Sequence, residues 1–274
     1  MKVYDAEFVK GFMRMATDGN RLGWHERNGG NLTYRMKDED VKEVQKFFEP
    51  KEWKAIGTSV PKLANSYFLV TGSGKFFSNV ERDPESNICI IEIDDKGDNY
   101  RIVWGLKNGG IPTSELPTHL MNHEVKMIAT NGKNRVIYHS HPANLIALTF
   151  VLPLTTEVFT RELWEAMTEC SFIFPQGIGV LPWMVPGGKE IAVASSELMK
   201  TQDAVIWAHH GLFASGEDFD TAFGLMHAIE KASEILIKVY SVRPDKLQTI
   251  TPENLREFAK IYKFDINEKY LYKK

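Results

Sequence analysis

The chain is poor in cysteine, in long apolar runs and in charge of one sign. Its two cysteines, Cys89 and Cys170, lie far apart in apolar contexts. They form no metal-binding spacing and no disulfide framework, and this scarcity points to a reducing compartment, the cytoplasm. No apolar run reaches the ~18 residues of a membrane span. The opening stretch MKVYDAEFVKGFMRMA breaks every apolar run with a charge, unlike a signal peptide. The formal net charge is −3, which leaves no electrostatic footprint for nucleic acid or an anionic membrane. A nucleotide-binding phosphate loop is missing as well. In Thr71-Gly72-Ser73-Gly74-Lys75 the first glycine is misplaced, and no Ser or Thr follows the lysine.

What the chain has is apolar substance and alternation. Hydrophobic residues make up 43 % of its 274 positions, enough for a large core. Spacing predicts an amphipathic helix over 4–22, marked by Phe8, Phe12 and Met15, then a strand at Leu32–Met36. The charge-dense stretch 37–54 reads as a solvated surface helix or insertion. A strand follows at Tyr67–Val70, and a hairpin joins Ile88–Ile93 to Tyr100–Trp104. Further helices are expected from Thr113, over 142–152, within 155–174, and over 190–200, Asp220–Val242 and 252–262. Residues 177–186 read as a loop with apolar anchors. No repeat or long linker appears, so one α/β domain over 1–274 is expected.

The chemistry gathers around RVIYHSH, residues 135–141. It reads as a buried strand ending in two histidines. Alternation places Ile137, His139 and His141 on one face, so two imidazoles can reach one metal ion. Two ordinary histidines at a strand end would look the same. A second apolar run, AVIWAHHG, ends in His209-His210. Three histidines suffice for a catalytic zinc with an open position, and imidazole also suits other divalent metals. Glu115 falls at a helix start in PTSELPTH, either as a first-turn carboxylate favoured by the dipole or as one aimed at the metal. Asn28-Gly29-Gly30-Asn31 and the TGSG turn can offer amides to an anion, although NGGN alone is equally a hairpin turn. Glu169 stands at an element junction. His227 reads as a core or surface histidine.

Taken in order, NGGN at 28–31, TGSGKFF at 71–77, PTSELPTH at 112–119, H-x-H at 139–141, LWE with TEC at 163–170, GVLPWMVPG at 179–187 and HHG at 209–211 resemble the class II aldolase/adducin family. The resemblance covers nearly the whole chain. Departures are confined to the charged insertion after residue 36 and the C-terminal tail. It implies a three-layer α/β/α fold with a mainly antiparallel central sheet, and a cyclic homotetramer with sites between subunits. It implies one zinc per subunit on His139, His141 and His210, since His210 matches the family position before glycine. Alternation along a strand would send His209 the other way. It further implies Glu115 as the catalytic carboxylate and Glu169 as a carboxylate lent to a neighbouring subunit. Asn28, Asn31, Ser73, Gly74, Thr113 and Ser114 match the phosphate-binding loops. The implied reaction is metal-dependent cleavage of a ketose phosphate. A sugar-phosphate epimerase and a non-catalytic assembly member are the family's other outcomes. The presence of all three histidines and Glu115 argues against the latter.

Overall fold

In the computed structural model, which describes residues 2–271, the opening periodicity forms α1 (Glu7–Arg21) with Phe8, Phe12 and Met15 buried. Nine strands follow among the described residues: β1 (Asn31–Arg35), β2 (Lys54–Ala55), β3 (Tyr67–Thr71), β4 (Ile88–Ile93), β5 (Asn99–Gly105), β6 (Val136–Ser140), β7 (Gly179–Leu181), β8 (Ala204–Trp207) and β9 (Gly211–Gly216). They form one sheet in the order β2-β5-β4-β3-β1-β6-β9-β8-β7. Only β7 and β8 run parallel; the other neighbours are antiparallel. The remaining helices are α2 (Asp38–Val44), α3 (Pro84–Asn87), α4 (Leu116–Ala129), α5 (Ala143–Leu148), α6 (Thr156–Ala166), α7 (Cys170–Ile173), α8 (Lys189–Met199), α9 (Phe219–Val242) and α10 (Pro252–Tyr262).

Strand alternation splits the core between the two faces. Leu32, Tyr34, Val136, Tyr138, Leu212 and Ala214 share one apolar cluster with α1, α6 and α9. Ile137, Val205, Trp207 and Phe213 join Ile191 and Met199 of α8 in another. Helices α4 and α8 pack together on that second face, giving an α/β/α sandwich. Helices α6 and α9 start where a side chain satisfies a first-turn amide. Asp218 accepts from the Thr221 amide at α9, and Thr155 from Val158 at α6.

Three expectations shift. Gly179–Leu181 is a short strand, not loop, because it hydrogen-bonds to β8 as a parallel edge too brief to show a period. The helix after His141 stops at Leu148. The stretch 37–54 forms α2, a 3₁₀ turn at Gln45–Phe47 and the first residue of β2, with Val44 buried, so it is not wholly solvated.

Candidate active site

The register places Asn31 of β1 opposite His139 of β6, and His139 opposite Phe213 of β9. These residues, with Thr33, face the α4 side. His139 stacks on the Phe213 ring, with centroids 4.2 Å apart and an interplanar angle of 11°. Its Nδ1–H donates to the Leu212 carbonyl at 3.1 Å, because a carbonyl can only accept. Nε2 is thereby left as a lone-pair donor. His141 lies just past the end of β6, and its Nδ1–H donates to the Glu26 carboxylate at 2.7 and 2.9 Å. Its buried Nε2 has no protein partner. His210 occupies the turn between β8 and β9.

His139, His141 and His210 each offer a nitrogen, and these nitrogens lie within 4.8 Å of one another. The Nε2 atoms of His139 and His210 are 3.3 Å apart. Two nitrogens sharing a tetrahedral ion at ~2.1 Å each would lie roughly 3.4 Å apart. Burial lowers the pKa of His139 well below that of a free imidazole and that of His210 to about 4. Neutral rings with lone pairs converging on one point are what a divalent metal requires. A carboxylate holding the far nitrogen of a ligating histidine, as Glu26 holds His141, fixes the ring and raises its basicity.

Glu115 immediately precedes α4, but its side chain makes no capping bond. It turns inward instead. Its Oε2 accepts from Asn31 Nδ2 at 2.9 Å and lies 3.7 Å from His139 Nε2. Burial raises its pKa, and the Asn31 bond partly offsets the rise.

Three loops meet beside this carboxylate. The Ser73 amide donates to the Ile111 carbonyl at 2.8 Å, and the Thr113 amide to the Thr71 carbonyl at 2.9 Å. Thr71 Oγ1 accepts from the Leu32 amide at 3.1 Å, tying these loops to β1. His25 links the remaining segment. Its Nδ1–H donates to the Gly29 carbonyl, its Nε2 accepts from Tyr138 Oη, and its ring stacks on Phe77 at 3.6 Å. Gly30 has φ +75°, and a Cβ there would sit 2.6 Å from the His139 carbonyl, so only glycine fits.

The structure thus gathers His139, His141, His210, Glu115 and Asn31. It also joins the loops bearing Asn28, Ser73, Gly74, Thr113 and Ser114. The Asn31 amide is engaged with Glu115 and His119. Glu169 is exposed at the start of α7 and is no member of the histidine cluster in its own chain. His209 does not point away through strand alternation. It sits in a turn with φ +61°, and its Nδ1 meets Thr149 Oγ1 at 3.0 Å. Sequence reasoning missed Glu26, His25 and His119. The WHERNGGN context put the first two beside a recognised loop but gave no sign of their partners.

This fold and this cluster define a class. Residues 12–237 match the family model described as class II aldolase and adducin N-terminal domain. The chain belongs to the class II aldolase and adducin family. Among its relatives it is 49 % identical over 249 residues to a rhamnulose-1-phosphate aldolase of Escherichia coli O157:H7, covering 90 % of each chain. It is 48 % identical over 254 residues to that of Pectobacterium atrosepticum, covering 92 % of each. A sugar-phosphate aldolase structure from Thermotoga maritima superposes with a TM-score of 0.75 at 31 % identity, over 88 % of this chain and 97 % of that one.

Proposed function

We propose that this chain cleaves L-rhamnulose 1-phosphate to dihydroxyacetone phosphate and L-lactaldehyde, a retro-aldol step in L-rhamnose catabolism. The observation that carries this reading is the convergence of three histidines and a buried carboxylate, in a chain 49 % identical to rhamnulose-1-phosphate aldolases. Zinc, one per subunit, is the ion we assign to His139, His141 and His210. When bound, it supplies Lewis-acid stabilisation for the electrons that stay with the phosphate-bearing fragment.

The chain's own residues do the rest. As the C3–C4 bond breaks, the C4 hydroxyl gives up its proton and becomes the aldehyde, while the electron pair remains at C3. Glu115 delivers a proton to C3, or removes it in the synthetic direction. Burial raises the pKa of the Glu115 carboxyl, the direction that favours its taking up a proton. Asn28, Ser73, Gly74, Thr113 and Ser114 hold the phosphate and so position the reacting bond from a distance. Asn31 adjoins them, with its amide turned to Glu115.

Glu169 is assigned to proton traffic at the aldehyde oxygen of a neighbouring subunit. Its exposure, and that of Phe150, Val151, Trp183 and Val185, supports a homotetramer with sites between subunits. No described helix is long and apolar enough to cross a membrane, and we place the enzyme in the cytoplasm. Neither nucleic acid nor membrane is a partner in this reading.

Parallel incubation of the zinc-loaded protein with rhamnulose 1-phosphate and fuculose 1-phosphate tests the assignment. Dihydroxyacetone phosphate and L-lactaldehyde should form faster from the first. Preference for fuculose 1-phosphate, or an epimerised ketose in place of cleavage, would overturn it.

A further inference from the structure

Five polar side chains form one hydrogen-bonded file through the buried seam between β1 and α4. His123 Nε2 and Thr33 Oγ1 are 2.8 Å apart, and Thr33 Oγ1 lies 2.8 Å from His119 Nδ1. His119 Nε2 meets Asn31 Oδ1, and Asn31 Nδ2 meets Glu115 Oε2 at 2.9 Å. Thr33, His119 and His123 are wholly buried, so no solvent substitutes for these partners.

The polarity of the file follows from its end. A carboxylate only accepts, so Asn31 presents its amide nitrogen to Glu115 and its carbonyl oxygen to His119. His119 must then carry its proton on Nε2 and accept on Nδ1 from the Thr33 hydroxyl. Thr33 in turn accepts from His123. Every donor in the file points toward Glu115. Burial holds His119 neutral, with a pKa of about 3, in keeping with one proton on the ring.

We propose that His119 is a positioning residue for the reaction: it clamps the Asn31 amide, and through it the Glu115 carboxylate, in the orientation that proton transfer to C3 requires. A lone asparagine could turn over as Glu115 passes between its charged and neutral forms. With its oxygen held by His119, it cannot follow the proton. The inference rests on Glu115 being the proton carrier.

The test uses the zinc-loaded full chain with L-rhamnulose 1-phosphate. His119→Phe keeps the ring beside Phe213 and removes both hydrogen bonds. It should retain its metal and keep KM within about twofold. Its kcat should fall by roughly tenfold to a hundredfold, the scale of a slightly misplaced catalytic group. In an Asn31→Ala background the same substitution should add no further loss, since His119 acts through Asn31. A crystal structure of His119→Phe, independent of turnover, should show the Asn31 amide turned or displaced from Glu115. Unchanged kcat, losses that multiply in the double variant, or an unmoved amide would overturn the proposal. If His119→Phe does not fold, His119→Leu, which also removes both hydrogen bonds, carries the same three readouts. A wild-type protein inactive on ketose phosphates would overturn the function instead, and the crystal structure would still decide the amide's orientation.

Discussion

A carboxylate at a helix start can serve the helix or the site, and the contacts of Glu115 turn it toward the histidine cluster. It caps no amide; its partners are Asn31 and His139. Glu115→Gln should therefore keep its metal and nearly its melting temperature while kcat falls by roughly 10²–10⁴, the usual worth of a general acid–base. Near-normal kcat with a lowered melting temperature would return Glu115 to a structural role. Glu26 should act on the metal itself. Glu26→Gln removes the charge behind His141 and should weaken zinc affinity by about tenfold to a hundredfold in a chelator competition. An unchanged affinity would mean the contact is incidental. The pair His139 and His141 was legible because its spacing is local; His210, 71 positions from His139, was singled out only through the family position before glycine. Glu26 was not, since its partner lies 115 positions away, and neither was His119, 88 positions from Asn31. No local pattern records such a pairing.

Among the elements, legibility followed length and period. α1 and α9 emerge near their expected bounds because an apolar stripe is repeated over several turns. The β4–β5 hairpin was readable from its turn, Asp94–Asp98. β7 was not, because three residues carry no alternation and their pairing is with a distant strand. The choice between His209 and His210 looked like a question of strand alternation. A turn settles their placement instead, with His209 in the left-handed region. The loop 71–74 is braced by backbone bonds to 111 and 113, so its shape should survive loss of a side chain. Ser73→Ala should accordingly raise KM by roughly tenfold to a hundredfold, the worth of one hydrogen bond to a charged group, with little change in kcat. Steady-state kinetics that show the reverse split would remove Ser73 from the phosphate site.

For the whole molecule, buried neutral histidines set a direction on the acid side. Burial depresses His25 and His119 to about 3 from an ordinary 6.5. The unfolded chain then binds protons the folded one refuses, so stability falls as pH drops below 6.5 and keeps falling toward 3. Between about pH 7 and about pH 5 each such histidine should remove about 2 kcal/mol. Urea unfolding at the two values checks this, and a midpoint that does not move would contradict it. The supports of the proposed metal ligands have a different consequence. His139 leans on the Leu212 carbonyl and the Phe213 ring, and His141 on Glu26. These two rings are braced by protein alone, so in the proposed site the ion would be a late and replaceable part, unlike the ion of a zinc finger. On that reading, a cell short of the metal would accumulate finished, silent enzyme. Restoring the metal would wake that stock without new synthesis, on the timescale of ion delivery rather than of translation.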